Sequence, residues 1–323
     1  MNIALLCGGY SAEREISLKS AESVFEAIKN DHTLFCIDTA RFEVFSDFSA
    51  QKTLPVVPRS LQGTQDLLSL FSRHNINFAL IMLHGGDGED GHIQALCEIS
   101  GIAYSGTDMR SSVVGMDKVL TKYIMDYHGI PTPHWAFVTK GETLAEIGNF
   151  TYPLIVKPSR EGSTVGLTKV DSPEKLQDAV DTAHTYDTIA LIEEYIPGRE
   201  FTVTVMNSIA YPIVEVCPKS GFYDYEHKYT KGKSEYSCPA ELDEFIARSI
   251  TMDTLDLYRL MNLTGVVRFD VRMTDDEDYF FLEANTLPGM TQLSLVPMSF
   301  QAKGKSYRDL ILAIIDDGMS RKV

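Results

Sequence analysis

Two short apolar runs that end on glycine constrain this chain more than any other feature. The first is NIALLC, Asn2 to Cys7, which stops at Gly8-Gly9; the second is NFALIML, Asn77 to Leu83, which stops at His84-Gly85. Each reads as a short strand followed by a glycine loop. Behind the first loop, Ile16, Ser20, Val24 and Ile28 recur near helical spacing, and behind the second, GHIQALCEISG reads as a short helix. Strand, glycine loop and helix, twice over, predict a parallel α/β domain. In such sheets ligands collect at the loops beyond the carboxyl ends of the strands.

Further along, the pattern changes. PTPHW, Pro131 to Trp135, is loop punctuation, and YPLIVKPSREGSTVGLTKV reads as strand, glycine-rich loop, strand. DSPEKLQDAVDTA reads as a helix capped by Asp171 or Ser172, and TIALIEEYI as a strand stopped by Pro197-Gly198. The last third holds strands EFTVTVM and YPIVEV, a polar stretch from Gly221 to Ser237 and a helix around Asp243 to Met261. Strands GVVRFDVRM and YFFLEANT and an amphipathic SYRDLILAIIDDG follow. The expected fold class is mixed α/β and α+β. It divides into an N-terminal parallel α/β domain over 1–108, a central α+β domain over 109–197 and a C-terminal α+β domain over 198–323.

A chain of 323 residues, 44% hydrophobic, is long enough for two or three domains. Its formal charge of −16 opposes a nucleic-acid partner, which needs a basic footprint. The cysteines are Cys7, Cys36, Cys97, Cys217 and Cys238, with no C-x-x-C, so neither a disulfide framework nor a structural zinc site is expected. The start, MNIALLCGG, lacks the early positive charge and long apolar run of a signal peptide, and no stretch approaches the length of a membrane span. The expectation is a cytoplasmic protein with no membrane partner.

The stretch DYFFLEANTLPGM places Glu283 and Asn285 where an apolar strand ends. A buried charge is costly unless it is paired or bound to a metal. Arg268 and Asp270 share one face of the preceding strand, and Glu283 and Asn285 share one face of their own. A four-residue hairpin loop, Asp275 to Asp278, sets Asp270 opposite Glu283 and Arg268 opposite Asn285; three or five residues would put them on opposite faces. Opposed carboxylates repel unless something positive bridges them. An all-oxygen set suits Mg²⁺ or Mn²⁺. The alternative is a solvated strand end in which Arg268 simply pairs with Asp270.

A metal of that kind calls for phosphate nearby. No Walker A motif exists, because the position of its first glycine, counted back from Gly232-Lys233-Ser234, holds His227. In VKPSREGSTVG, Lys157 ends a strand and the loop behind it carries Gly162, Ser163, Thr164 and Gly166. Such a loop can wrap a phosphate with backbone N–H groups, or be an ordinary hairpin turn. Lys118, in GMDKVLTK, adds a cation. Glu193 could accept from an adenine amino group and Glu200 from ribose hydroxyls.

Together these stretches resemble the D-alanine–D-alanine ligases of the ATP-grasp superfamily. GGYSAEREISLKS, HGGDGEDGHIQ, MDK, VKPSREGSTVG, EEYIPGREFTV, FYDYEHKY, CPA, RFDV and LEANTLPGMTQLSLVP follow the family's motifs in order over nearly the whole chain. Gly86-Asp87 replaces a more basic pair, and Glu194 and Tyr195 vary the nucleotide hinge. The resemblance implies that ATP phosphorylates one D-alanine carboxylate and that the amine of a second attacks the acyl phosphate, for peptidoglycan synthesis. It implies that Glu13 holds the first ammonium and that Lys118 and Lys157 grip phosphates. Lys228 would reach the transferred phosphate or the second carboxylate. Glu193, Glu194, Tyr195, Ile196, Glu200 and Phe222 would form the nucleotide site. Asp270, Glu283 and Asn285 would carry two Mg²⁺ or Mn²⁺ ions. Arg268 and the Gly289 N–H would stabilise the tetrahedral oxyanion. Ser294 and Leu295 would line the second subsite, and His84 would sit near the reacting carboxylate. Glu13, Ser163 and Tyr229 would form a latch closing the site, and the chain would be a homodimer. Tyr229 and the motif ending LSLVP argue against the alternatives, a D-lactate or D-serine acceptor or another ATP-grasp ligase.

Overall fold

The computed structural model describes residues 1–144, 149–218 and 234–321. Phe222, Lys228 and Tyr229 therefore lie outside the described residues, as does most of the expected polar lid. The strands form three sheets that follow one another along the chain. The first holds β1 (Asn2–Cys7), β2 (Thr33–Asp38), β3 (Glu43–Phe45), β4 (Phe78–Ile81) and β5 (Ala103–Tyr104), in the order β3-β2-β1-β4-β5. β1 runs parallel to β2 and β4, and β4 to β5; the β2–β3 edge is antiparallel. β4 is buried throughout, because both faces of the sheet are covered. Helices Arg14–Ile28 and Tyr307–Ser320 pack on one face, helices Leu61–Arg73 and His92–Ile99 on the other.

The chain leaves β1 for β2 on one side and later returns to β4 on the other. The loops after β1 and β4 thus start from neighbouring strand ends and diverge, which opens a crevice at the carboxyl edge. Glu13 and His84 stand on these two loops.

The second sheet, β6 (Trp135–Thr139), β7 (Leu154–Pro158), β8 (Thr168–Val170) and β9 (Ile189–Glu194), has the order β6-β9-β7-β8. The third holds β10 (Arg199–Met206), β11 (Ile209–Ala210), β12 (Val214–Pro218), β13 (Ser234–Ser237), β14 (Val266–Met273) and β15 (Tyr279–Asn285). Its path is β13-β12-β10-β14-β15, with β11 beside β10. Helix Glu244–Leu260, capped by the Asp243 carboxylate on Phe245 N and Ile246 N, buries Ile250 and Leu257 against one face of this sheet.

The last helix begins with a capping box, Ser306 and Asp309 bonding each other's backbone. Its Leu310, Ile311, Ile314 and Ile315 pack among Ile3, Leu5 and Leu80. The end of the chain therefore completes the N-terminal core. Limits at 108 and 197 remain our proposal for the folding units.

The β14–β15 hairpin corrects one premise. Its last pair is Met273 with Tyr279, so the loop is Thr274–Asp278, five residues rather than four. On parity alone this separates Asp270 from Glu283. A bulge restores them: Val271 pairs with Phe281 but Asp270 with Glu283, leaving Leu282 as the extra residue. Arg268 then faces Asn285, and the polar side chains share one face.

Candidate active site

The second and third sheets face each other across a cleft lined by Lys118, Lys157, Glu193, Glu200, Asp270 and Glu283, among others. It encloses about 780 Å³ of space, partly open to solvent. Gly162, Ser163 and Thr164 line it from the glycine loop, and Tyr195 and Ile196 from the segment connecting the two sheets.

At its base lies a buried charge cluster. Glu193, 2% exposed, takes the Lys157 ammonium at 2.5 Å and that of Lys122 at 2.8 Å. Burial pushes the Glu193 carboxyl up, but the two ammonium groups outweigh it and hold it below the ordinary range. Burial lowers Lys122; for Lys157 the burial effect is overcome by Glu193 and Glu283, and its pKa rises. Lys122 also donates to Thr132 Oγ1 at 2.7 Å, and Thr132 to Phe281 O at 2.9 Å, which fastens the cluster to β15. Glu200 pairs with Arg272 at 3.1 Å, and the Arg272 guanidinium lies 5.4 Å from the Tyr195 ring centre. Glu194 accepts from Thr151 N at 3.0 Å.

On the hairpin, Arg268 grips Asp270 bidentately, Nε to Oδ1 at 2.7 Å and Nη2 to Oδ2 at 2.9 Å. The pairing expected for a plain strand end is thus present, but Asp270 is 7% exposed, not solvated. Asn285 Nδ2 donates to Asp270 Oδ2 at 3.1 Å. That leaves the Asn285 carbonyl oxygen as an acceptor on the sheet face that carries the two carboxylates. Lys118 stands 3.4 Å from Glu283 and donates to Glu161 O at 2.7 Å.

Glu13 sits before helix Arg14–Ile28, 8% exposed, and its carboxylate accepts a hydrogen bond from Ser163 Oγ. The glycine loop is thereby drawn onto the N-terminal domain. A Cβ at Gly162 would come within 2.7 Å of Glu13 Oε2, and one at Gly85 within 3.0 Å, so both positions need glycine for this approach. His84 is buried, with Nδ1 3.0 Å from Leu287 O and Nε2 3.0 Å from Ser20 Oγ. Ser294 Oγ accepts from Thr291 N at 3.1 Å and lies 3.2 Å from the position of a Cβ on Gly289. The Leu295 side chain, by contrast, is buried beside Val214 and Val216.

Lys122, Arg272, Leu282 and Glu89 are among the cleft and crevice residues that escaped the sequence reading. Lys122 lies four residues after Lys118 on one helix, a same-face spacing that marks it. Arg272 continues the alternation of Arg268 and Asp270 along β14. Leu282 is exposed to the cleft only by the bulge. Glu89 lies inside HGGDGEDG, and its partner Leu287 is 198 positions away.

Two antiparallel sheets that face each other across a cleft, with Lys118 and Lys157 in its lining and the oxygen donors of the β14–β15 hairpin opposite, form an ATP-grasp fold. Profiles described as "D-ala D-ala ligase N-terminus" and "D-ala D-ala ligase C-terminus" match residues 2–107 and 124–316. A D-alanine–D-alanine ligase of Aquifex aeolicus is 39% identical over 318 residues, 98% of this chain and all of the relative. One of Syntrophotalea carbinolica is 36% identical over 321 residues, 99% of this chain and 97% of the relative. The crystal structure of the Bacillus anthracis D-alanine–D-alanine ligase complexed with ATP superimposes with a TM-score of 0.79 at 30% identity, covering 99% and 98% of the two chains. The chain belongs to the D-alanine–D-alanine ligase family.

Proposed function

We infer that the protein is an ATP-dependent ligase that joins two D-alanines into D-alanyl-D-alanine for peptidoglycan. The observation that carries this reading is convergence: Glu13 from the crevice of the first sheet meets the glycine loop of the nucleotide cleft. An amino acid held there by its ammonium can present its carboxylate toward the γ-phosphate. That oxygen attacks phosphorus, the bond to the β-phosphate oxygen breaks, and ADP leaves. The amine of the second D-alanine then attacks the acyl carbon, the carbonyl oxygen turns negative, and the carbon–oxygen bond to phosphate breaks as the amine loses a proton.

Lys118 and Lys157 neutralise phosphate charge, the main demand of phosphoryl transfer. Glu193 accepts from the adenine amino group, Glu200 from ribose, and Tyr195 and Ile196 border the base. Arg268 and the Gly289 N–H face the developing oxyanion. The donor set of Asp270, Glu283 and Asn285 is all oxygen and on one strand face, which fits Mg²⁺ or Mn²⁺. Such ions neutralise and orient the ATP phosphates when bound; Lys118 and Arg268 balance the same carboxylates otherwise. Among the described residues no helix is long and apolar enough to cross a membrane. Use of ATP and the acidic composition support a cytoplasmic setting, and family membership supports a homodimer.

The test is phosphate release from ATP with D-alanine, L-alanine, D-lactate and D-serine in parallel, with product analysis. D-alanine alone should support turnover with one dipeptide per phosphate. Stronger turnover with a D-alanine–D-lactate mixture, yielding the ester, would overturn the acceptor assignment.

A further inference from the structure

We propose that Glu89, Ser20 and His84 are positioning residues that fasten the Leu287–Met290 loop to the N-terminal domain and thereby aim the Gly289 N–H at the reacting carbonyl. This inference rests on the ligase reading of the site.

The loop is held from both ends. Leu287 N donates to Glu89 Oε1 at 3.1 Å, and Leu287 O lies 3.0 Å from His84 Nδ1. Met290 N donates to Ser20 Oγ at 3.3 Å, across 270 positions of chain. The second Glu89 oxygen takes Gly85 N at 2.7 Å, so one carboxylate ties its own loop to the opposite one.

Counting protons gives one consistent assignment. A carbonyl oxygen only accepts, so the His84 hydrogen is on Nδ1. Burial holds the His84 pKa down, so the ring is neutral and its Nε2, with no hydrogen, accepts from the Ser20 hydroxyl 3.0 Å away. The Ser20 oxygen keeps its lone pairs for Met290 N. Its role becomes that of a hydrogen-bonded spacer between Ser20 and Leu287.

The amides of the loop are used up one by one. Leu287 and Met290 spend theirs on Glu89 and Ser20. Pro288 has none, and its ring fixes φ. Only the Gly289 N–H has no partner among the described residues, and Gly289 is half-exposed while both flanks are buried. A loop pinned on either side of its single free donor is preorganised for an oxyanion.

Glu89 is partly buried beside Glu13, and desolvation pushes its carboxyl up to about 7; Glu13 adds to the rise, while the two amides and Lys118 offset part of it. The side chain accepts best as a carboxylate, so a glutamine, which has one accepting oxygen, must oppose an N–H of its own to one of the two amides.

The experiment compares wild type with Glu89→Gln and Ser20→Ala. Wild-type turnover with D-alanine first establishes the ligase reading by itself. Each variant is then measured for kcat, for the ATP KM, and for affinity toward a dipeptide phosphinate whose tetrahedral phosphorus imitates the adduct. Loss of one aimed donor should lower kcat on the order of tenfold or more, with a matching loss of phosphinate affinity and an ATP KM within about twofold. An unchanged kcat in Ser20→Ala, or a phosphinate affinity that stays put while kcat falls, overturns the proposal. If Glu89→Gln does not fold, Ser20→Ala decides alone, because it removes a single hydroxyl and keeps the helix.

Discussion

Two glutamates of this molecule, Glu193 buried and Glu89 partly buried, are driven in opposite directions. Glu193, at the base of the nucleotide cleft, is held below the ordinary carboxylate range despite its burial. Glu89, in the crevice of the first sheet, rises to about 7 because of it. The difference lies in what surrounds them. Glu193 touches two ammonium groups, whereas Glu89 touches two backbone amides and has Glu13 nearby. Full charges overcome desolvation; two dipoles beside a like charge do not. The nucleotide side is therefore built on permanent charge, and the substrate side on a carboxyl that gives up its proton near neutrality.

The sharpest way to break that contrast is to remove a cation. Lys122→Met leaves Glu193 with one ammonium in a fully buried site. Breaking a buried pair costs about 3–5 kcal/mol. Urea unfolding should show a loss of that size, with weakened ATP binding. A loss below about 1 kcal/mol would mean that Lys157 alone compensates Glu193 and that the cluster is not a unit.

Arg268 occupies a middle position, since it holds Asp270 as an ion pair and is the residue we propose to face the oxyanion. Arg268→Ala should leave ATP affinity nearly intact and reduce kcat by roughly two to three orders of magnitude, about 2.7–4 kcal/mol. Single-turnover kinetics distinguish the roles. A raised KM with kcat unchanged would make Arg268 a ground-state binder.

The two glutamates should also oppose each other in stability against pH. A carboxyl raised in the folded state stabilises below its unfolded pKa, about 4.3, and loses that contribution as pH climbs through its folded value. For Glu89 the window runs from about 4.3 to about 7. Glu193 is the reverse: its contribution is present above the unfolded pKa and lost as pH falls through the lowered folded one. The stability of wild type relative to Glu89→Gln should therefore drop between about pH 4.5 and pH 7.5, by up to about 3 kcal/mol. Unfolding curves at the two pH values measure it, and a flat difference would show that Glu89 is not the group that titrates.

How much of this was legible in the sequence follows the same divide. Alternation and a guessed loop length placed Asp270 opposite Glu283, and they are opposite, but the loop has five residues and Leu282 bulges. Parity reasoning cannot see a bulge, because one extra residue in the loop and one in the strand cancel. Strand–glycine–helix order revealed the parallel sheet, since burial on both faces leaves its mark in all of β4 and in β1 from Ile3 to Cys7. The antiparallel edge pair β2–β3 and the helix over Leu61–Arg73 left weaker marks and went unread. Glu89 was hidden for a different reason. Its environment is made by Leu287, and nothing local tells a surface glutamate from one that closes on a loop from the far end of the chain.

The smallest predicted effect concerns the contact between Glu13 and the glycine loop. Ser163 Oγ donates to Glu13, and Ser163 and Thr164 both sit at positive φ, 49° and 62°. That backbone is sparsely populated for residues with a side chain, so the closed loop carries strain that the contact offsets. The Ser163 hydroxyl is partly exposed, which limits the bond to about 1 kcal/mol despite its charged acceptor. Ser163→Ala should accordingly keep the fold and the ATP affinity but let the loop open more often. An acyl phosphate is guarded from water only while the site is shut. The variant should release slightly more than one phosphate per dipeptide, and the excess should grow when D-lactate competes as acceptor. A ratio that stays at one under both conditions would show that the Glu13–Ser163 bond merely packs the loop, and that closure is carried by other contacts.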